Sequence, residues 1–166
     1  MVTTDGFTVG ALAAVNSFGS VTAPGGAFWA APYEIDGEFG GRPLGAAHAG
    51  PDDWGAAKSD PRPGTNTTIA IVAVDAILTP AQARRIAIMA QDGLARAIRP
   101  AHGPTDGDVV FALSTGRQAL PEPHPMALAR IGALAADCLA RAIARAVFEA
   151  TPWPGSDATC WRDLSA

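Results

Sequence analysis

The feature that most constrains the fold of this chain is an apolar run that follows a long Gly/Pro-rich segment. Eleven of the 29 residues between Asp36 and Gly64 are Gly or Pro, too many for a helix or a central strand. The residues from Thr68 to Asp75 read TIAIVAVD, and a short apolar run rich in β-branched residues is typical of a buried strand. The chain therefore passes from a Gly/Pro-rich loop, residues 17–64, directly into a sheet.

Two other segments have the pattern of strands. Residues 7–16 form a nearly continuous apolar run that ends at Asn16, which indicates a strand covered on both faces. Residues 108–115 contain the apolar sequence VVFAL and predict a third strand. All three strands are rich in apolar residues, so the sheet should be largely buried.

Two long helices are predicted between and after these strands. Thr79, Pro80 and Gln82 form the signature of a capped helix start, and the helical spacing ends before Pro100. Residues 125–150 form a longer, Ala-rich helix with one apolar face. This order predicts a layered α/β fold with three or more strands and two long helices, in one domain of residues 1–166. Three strands and two strongly apolar helices have more apolar surface than they can bury against one another.

Composition excludes several classes of function. The formal net charge is −4 and no basic cluster is present, which argues against nucleic acid as a partner. No apolar run approaches the ~18 residues of a membrane span, and the N-terminus lacks the basic start of a secretory signal. Cys138 and Cys160 form no disulfide framework, and two free thiols favour a cytoplasmic protein. His48, His102 and His124 do not share the spacing of metal ligands, so we expect none of them in a site.

The Asn66–Thr67 junction between loop and strand is a candidate point of self-cleavage. A cut there gives Thr67 a free α-amine beside its own hydroxyl, so that one residue supplies both nucleophile and base. An α-amine has a pKa of about 7.7–8 and is substantially neutral at physiological pH. Two alternatives remain open. Thr67 can simply begin a strand, where β-branched residues are favoured, and the tripeptide NTT also fits an N-glycosylation acceptor.

Three further polar residues stand at the ends of the predicted strands. Asp106 and Asp108 flank one glycine, and residues two apart in a strand point to the same face. Both carboxylates could therefore approach one site, with Asp108 holding the Thr67 hydroxyl or ammonium and Asp106 orienting it. A solvated turn and a divalent-cation site are the alternatives. Asn16 could donate its amide to an oxyanion, or it could serve only as a turn residue.

Four segments in this order resemble the nylon-oligomer (6-aminohexanoate-oligomer) endohydrolases, a branch of the L-aminopeptidase/D-esterase and β-aminopeptidase family. They read VGALAAVN, NTTIAIVAVDA, QDGLARAIRP and DGD, at residues 9–16, 66–76, 91–100 and 106–108. The resemblance covers nearly the whole chain but only the C-terminal half of the family fold. A threonine at the nucleophile position together with an Asp-x-Asp motif favours the nylon-oligomer branch over the aminopeptidase branch.

The resemblance implies a fold, a maturation step and a set of roles. The fold is part of an α-β-β-α sandwich that assembles as a homo-oligomer, and self-cleavage separates residues 1–66 from 67–166. Thr67 matches the nucleophile, Asp106 and Asp108 match the acidic pair that engages it, and Asn16 matches a residue of the oxyanion site. No metal or organic cofactor is implied. The absent half supplies an active-site lysine, and Lys58, which lies in the loop, is not part of the family motif.

Two hypotheses of different classes follow. The first is an autoprocessing hydrolase of small linear amides or short peptides that uses Thr67 as its N-terminal nucleophile. The second is a truncated, non-catalytic half-domain, or a subunit that needs a partner chain to supply the missing half.

Overall fold

Four strands form one mixed sheet in the order β1-β2-β3-β4. The computed structural model describes residues 2–4, 6–45, 50, 54–59 and 64–164. The strands are β1 (Val2–Thr4), β2 (Phe7–Asn16), β3 (Thr67–Ala76) and β4 (Val109–Gln118). Strand β2 runs antiparallel to β3, whereas β4 runs parallel to β3. The predicted α/β fold class is thereby confirmed, and β1 is an additional short strand that the sequence pattern did not indicate.

Helices cover one face of this sheet. They are α1 (Pro80–Ala90), α2 (Asp92–Ala97), α3 (His124–Phe148) and the short α4 (Trp161–Leu164). The predicted capping box is present at the start of α1. The helical stretch ends before Pro100, as predicted, but it is divided into two helices, α1 and α2, at Gln91.

Helix α3 lies across the sheet and forms the centre of the core. Its buried residues include Ile131, Leu139 and Ile143, which are at most 1% exposed. Helix α2 approaches α3 closely, because a Cβ atom on Gly93 would stand 2.4 Å from the Ala136 carbonyl oxygen. Glycine at this position thus allows the two backbones to pack together.

Among the described residues, no layer covers the opposite face of the sheet, which corrects the expectation that the strands are buried on both sides. The paired residues Leu12, Ile71 and Phe111 lie side by side on this face and are 72%, 37% and 56% exposed. Ile69 and Leu113 continue it and are also exposed. We call these five residues the open sheet face. It explains the apolar surplus of the sequence, since these five side chains stay exposed in the described part of the chain.

The described part of the loop between β2 and β3 packs against the helical layer. It contains a 3₁₀ turn at Ala31–Tyr33, and Phe28 and Phe39 are each 1% exposed. The Trp161 ring of α4 stacks against Phe28 with ring centroids 5.0 Å apart. This part of the loop is therefore a contributor to the core rather than a structureless connection. None of the helices in the described residues is both long and apolar enough to cross a membrane.

Candidate active site

The candidate residues meet at one end of the sheet, where β2 ends and β3 begins. Asn16 pairs with Thr67 across the antiparallel ladder. Asn66, one residue before β3, forms a parallel bridge with Asp106. Asp108 precedes β4 directly and accepts a hydrogen bond from the Thr68 amide at 2.8 Å. The fold thus brings all five residues singled out in the sequence into one cluster.

The Asn66 carbonyl oxygen is the centre of this cluster. It accepts a hydrogen bond from the Gly107 amide at 2.9 Å and a second one from the Thr67 hydroxyl at 2.6 Å. Asn66 itself is 1% exposed. The carbonyl of the bond expected to break is therefore buried, polarised by a backbone N–H, and adjacent to the hydroxyl expected to attack it.

The two carboxylates hold backbone rather than the Thr67 hydroxyl. Asp106 accepts hydrogen bonds from the Phe18 amide at 3.2 Å and the Gly103 amide at 2.9 Å, so it joins the segment after β2 to the segment before β4. Asp108 bonds the Thr68 amide through one oxygen. Its other oxygen lies 3.4 Å from the His102 ring nitrogen Nδ1. In the uncut chain, neither carboxylate makes the contact with the Thr67 hydroxyl that the sequence suggested for Asp108.

His102 is a candidate that sequence reasoning assigned to no site. Its side chain is 45% exposed, whereas the Asp108 side chain beside it is 4% exposed. The His102 backbone has a φ of 56°, in the left-handed region that non-glycine residues seldom adopt. The same turn contains Gly103, whose amide Asp106 holds. Spacing could not reveal His102, because only the folding of this turn brings it to Asp108.

Lys58 is the second residue that the sequence did not place. Its ammonium lies 2.6 Å from Asn16 Oδ1, 3.3 Å from the Asn16 carbonyl oxygen and 2.9 Å from Asn66 Oδ1. The Asn16 amide nitrogen donates to the Thr65 carbonyl at 2.9 Å. The one lysine of the chain therefore reaches the cluster from the loop. Its position along the chain gave no indication of this contact.

The cluster opens onto the uncovered side of the sheet. Side chains two apart in a strand share a face, so Thr67 lies in line with Ile69 and Ile71 of the open sheet face. Asn16 lies in the same way in line with Leu12. Whatever covers the open sheet face consequently also forms one wall of the space beside Thr67.

Cys138 and His124 lie apart from this cluster. Cys138 is buried in α3, and burial raises the pKa of its thiol. His124 lies at the start of α3 beside Glu122, and His48 lies outside the described residues. Within the described ranges, no three His, Cys, Asp or Glu side chains group as metal ligands.

The chain is similar to known peptidases over nearly its whole length. A model of peptidase family S58 matches residues 1–160. Proteins of Mycobacterium bovis and Mycobacterium tuberculosis, each named an uncharacterized aminopeptidase, are 46% identical to it over 167 aligned positions, covering 90% of this chain and 46% of theirs. A protein of Mycobacterium leprae with the same description is 42% identical, covering 93% of this chain and 44% of that protein. The chain therefore spans less than half the length of these relatives.

Proposed function

The chain belongs to peptidase family S58, and we propose that it is an amide hydrolase that cuts itself between Asn66 and Thr67. The geometry of the Asn66 carbonyl is the observation that carries this proposal. The Thr67 hydroxyl lies 2.6 Å from the carbonyl oxygen, and the Gly107 amide donates to the same oxygen at 2.9 Å. A buried carbonyl with a backbone donor on its oxygen is prepared for nucleophilic attack.

The cut follows from ordinary acyl-transfer chemistry. Thr67 Oγ1 attacks the Asn66 carbonyl carbon, and the Gly107 amide stabilises the negative charge that develops on the oxygen. The hydroxyl proton passes to the Thr67 nitrogen as the carbon–nitrogen bond breaks, and Asn66 becomes an ester of the Thr67 hydroxyl. Water hydrolyses this ester. The products are the Asn66 carboxylate and a Thr67 with both a free α-amine and a free hydroxyl.

The mature residue then has what a nucleophile needs. The neutral α-amine of Thr67 accepts the hydroxyl proton as the hydroxyl attacks a substrate amide, and it returns that proton to the leaving amine. Movement of the newly cut end, Thr65 and Asn66, would take the Thr65 carbonyl away from the Asn16 amide. Asn16 is then free to donate to the oxyanion of the substrate. Asp108 is next to Thr68 and offers a negative charge to the ammonium form of the Thr67 amine.

The substrate class we propose is small linear amides and short peptides, as in the nylon-oligomer branch. The Thr67 nucleophile and the Asp106-x-Asp108 motif favour that branch over the aminopeptidases. The apolar residues Ile69 and Ile71, which are in line with Thr67, would supply an apolar wall for a linear substrate. We propose that the remaining wall comes from further residues of a longer protein or from other copies in a homo-oligomer.

A second function is favoured by the open sheet face. Five large apolar side chains are exposed on it, and the chain spans less than half the length of its relatives. The alternative proposal is a half-domain without activity of its own, which is completed by a partner chain that covers this face.

A hydrolysis assay tests the main proposal against this alternative. The chain and its Thr67→Ala variant would be incubated with aminoacyl p-nitroanilides and with a linear 6-aminohexanoate dimer, each followed by chromatography. The hydrolase proposal expects turnover by the chain and none by the variant. Equal, background turnover by both proteins at every substrate would favour the half-domain.

A further inference from the structure

We propose that Lys58 is a positioning residue for the cut, because its ammonium holds the two asparagines that flank the reacting bond. The ammonium has three protons and three acceptors lie around it, namely Asn16 Oδ1 at 2.6 Å, Asn66 Oδ1 at 2.9 Å and the Asn16 carbonyl oxygen at 3.3 Å. One charge thus connects the end of β2 to the residue before β3. The inference rests on the proposed self-cleavage.

The first consequence concerns the orientation of the Asn16 amide. An ammonium only donates hydrogen bonds, so the Asn16 atom facing Lys58 has to be the oxygen. The amide nitrogen then points the other way and donates to Thr65 at 2.9 Å. Without the lysine, only the Thr65 carbonyl, which can only accept, would select this orientation. Lys58 and Thr65 therefore fix from two sides which way Asn16 presents its donor.

The second consequence concerns the acyl half of the bond. The Asn66 side chain is fixed by Lys58, while its carbonyl oxygen is fixed by the Gly107 amide and the Thr67 hydroxyl. Anchoring at both ends limits rotation of a residue that is 1% exposed. A reaction between two groups of one protein is fast only when they are held in the right geometry. A misplacement of 1 Å can lower the rate on the order of 10²-fold.

The lysine is itself anchored to the same structure. Its backbone amide donates to the Phe18 carbonyl at 2.9 Å, and the Phe18 amide is held by Asp106. Asp106 in turn is bridged to Asn66. Contacts through Phe18 and Asp106 therefore connect the Lys58 backbone to Asn66, the same residue that the Lys58 ammonium contacts. The ammonium contacts oxygens of Asn16 and Asn66, so we infer that Lys58 acts through these two residues rather than on the reacting carbonyl.

The test is the rate of the cut in newly made protein. The 166-residue chain would be produced by cell-free translation and sampled over time for the fragments 1–66 and 67–166. We expect Lys58→Met to cut on the order of 10²-fold more slowly and Lys58→Arg to retain part of the rate. Ethylamine added to Lys58→Ala should restore cutting, since Lys58 is exposed and the space is open to solvent. Arg117→Met, which removes an exposed positive charge at the far end of β4, should cut normally.

A second measurement distinguishes this inference from the proposed function. In the Thr67→Ala background, which cannot cut, Lys58→Met should shift the side-chain amide NMR signals of Asn16 and Asn66, whereas Arg117→Met should not. If the unmodified chain never cuts, the proposed function fails, and these signals alone decide whether Lys58 holds the asparagines. Normal cutting by Lys58→Met, a loss that ethylamine cannot restore, or unmoved asparagine signals would each overturn the inference.

Discussion

A Cβ atom on Gly107 would lie 2.7 Å from the hydroxyl oxygen of Thr67. Real Cβ atoms do not approach other atoms this closely, and the Gly107 backbone does not need the left-handed conformation. Glycine is therefore required here for space rather than for conformation. Its missing side chain makes room for the Thr67 hydroxyl, while its amide holds the Asn66 carbonyl at 2.9 Å.

Gly107→Ala should consequently slow the cut. It should also destabilise the fold, but only in proteins in which an atom occupies the position of the Thr67 hydroxyl oxygen. Thr67→Val keeps an atom of similar size there, whereas Thr67→Ala does not, and both backgrounds remain uncut. We expect Gly107→Ala to cost about 1–3 kcal/mol in the Val background and less than about 0.5 kcal/mol in the Ala background. Urea unfolding measures both. Equal costs in the two backgrounds would show that the contact with position 67 is not the cause.

The Asp106 carboxylate is expected to be a structural brace of the site. Its two oxygens accept from the amides of Phe18 and Gly103, and an asparagine can accept through only one of its two terminal atoms. Asp106→Asn should therefore destabilise the uncut Thr67→Ala protein by about 1–3 kcal/mol in urea unfolding. Asp157→Asn, in the exposed tail, is the matched control and should have little effect. A change at Asp106 no larger than the control would mean that these hydrogen bonds contribute nothing.

An ion pair between the loop and α3 should make the free energy of unfolding fall at acid pH. Glu38 bonds Arg141, and their side chains are 16% and 11% exposed. Burial raises the pKa of Glu38, but the hydrogen bond and charge of Arg141 outweigh it and hold that pKa below the ordinary 4.5. The pair therefore adds stability above the unfolded-state pKa, and this contribution is lost as the pH falls through the lower folded-state pKa.

Glu38→Gln should accordingly lower the free energy of unfolding at pH 7 by about 1.5–3 kcal/mol. The difference from the unmodified protein should shrink as the pH falls below 4.5. Denaturant unfolding at several pH values measures this, in the uncut Thr67→Ala background. Glu122→Gln removes a carboxylate whose side chain is 79% exposed, and it should leave the profile unchanged. A Glu38→Gln difference that stays constant with pH would contradict the assignment.

The open sheet face should bind apolar dyes and promote association. Leu12 and Phe111 are 72% and 56% exposed, and a contiguous apolar patch of this kind is a typical interaction surface. Replacing both by serine should lower dye fluorescence and reduce association in sedimentation experiments without lowering the melting temperature. Trp153→Ser is the control, since Trp153 is 84% exposed in the tail. An effect of the control as large as that of the double variant would exclude a special role for the face.

Most of the fold could be predicted because its signals are local. The apolar runs identified β2, β3 and β4, and the Thr79 capping box identified the start of α1. The three residues of β1 are too few to show a pattern. The division at Gln91 was missed because Gly93, in the turn-like pair Asp92-Gly93, also falls on the helical spacing of apolar residues. The exposure of one sheet face was not predicted, because a continuous apolar run indicates a strand with two apolar faces. It does not show whether residues of the same chain cover both of them.

The site was predicted less completely, since it depends on contacts between distant segments. The ends of β2 and β3 were assigned from the apolar runs, but only the family resemblance brought Asn16 and Thr67 to one site. The hydrogen-bond partners of Asp106 and Asp108 could not be predicted, because they are backbone amides and every residue type except proline has one. Lys58 and His102 come from a loop and a turn whose paths are set by tertiary packing. That these residues act in a reaction remains a prediction.

The most direct measurement of the central proposal is the intact mass of the purified 166-residue chain beside its Thr67→Ala variant. Self-cleavage predicts two masses for the chain, equal to residues 1–66 and 67–166, and one full-length mass for the variant. Sequencing of the second fragment should begin at Thr67. A single full-length mass for both proteins, under conditions in which both are folded, would contradict the proposal that this chain cuts itself.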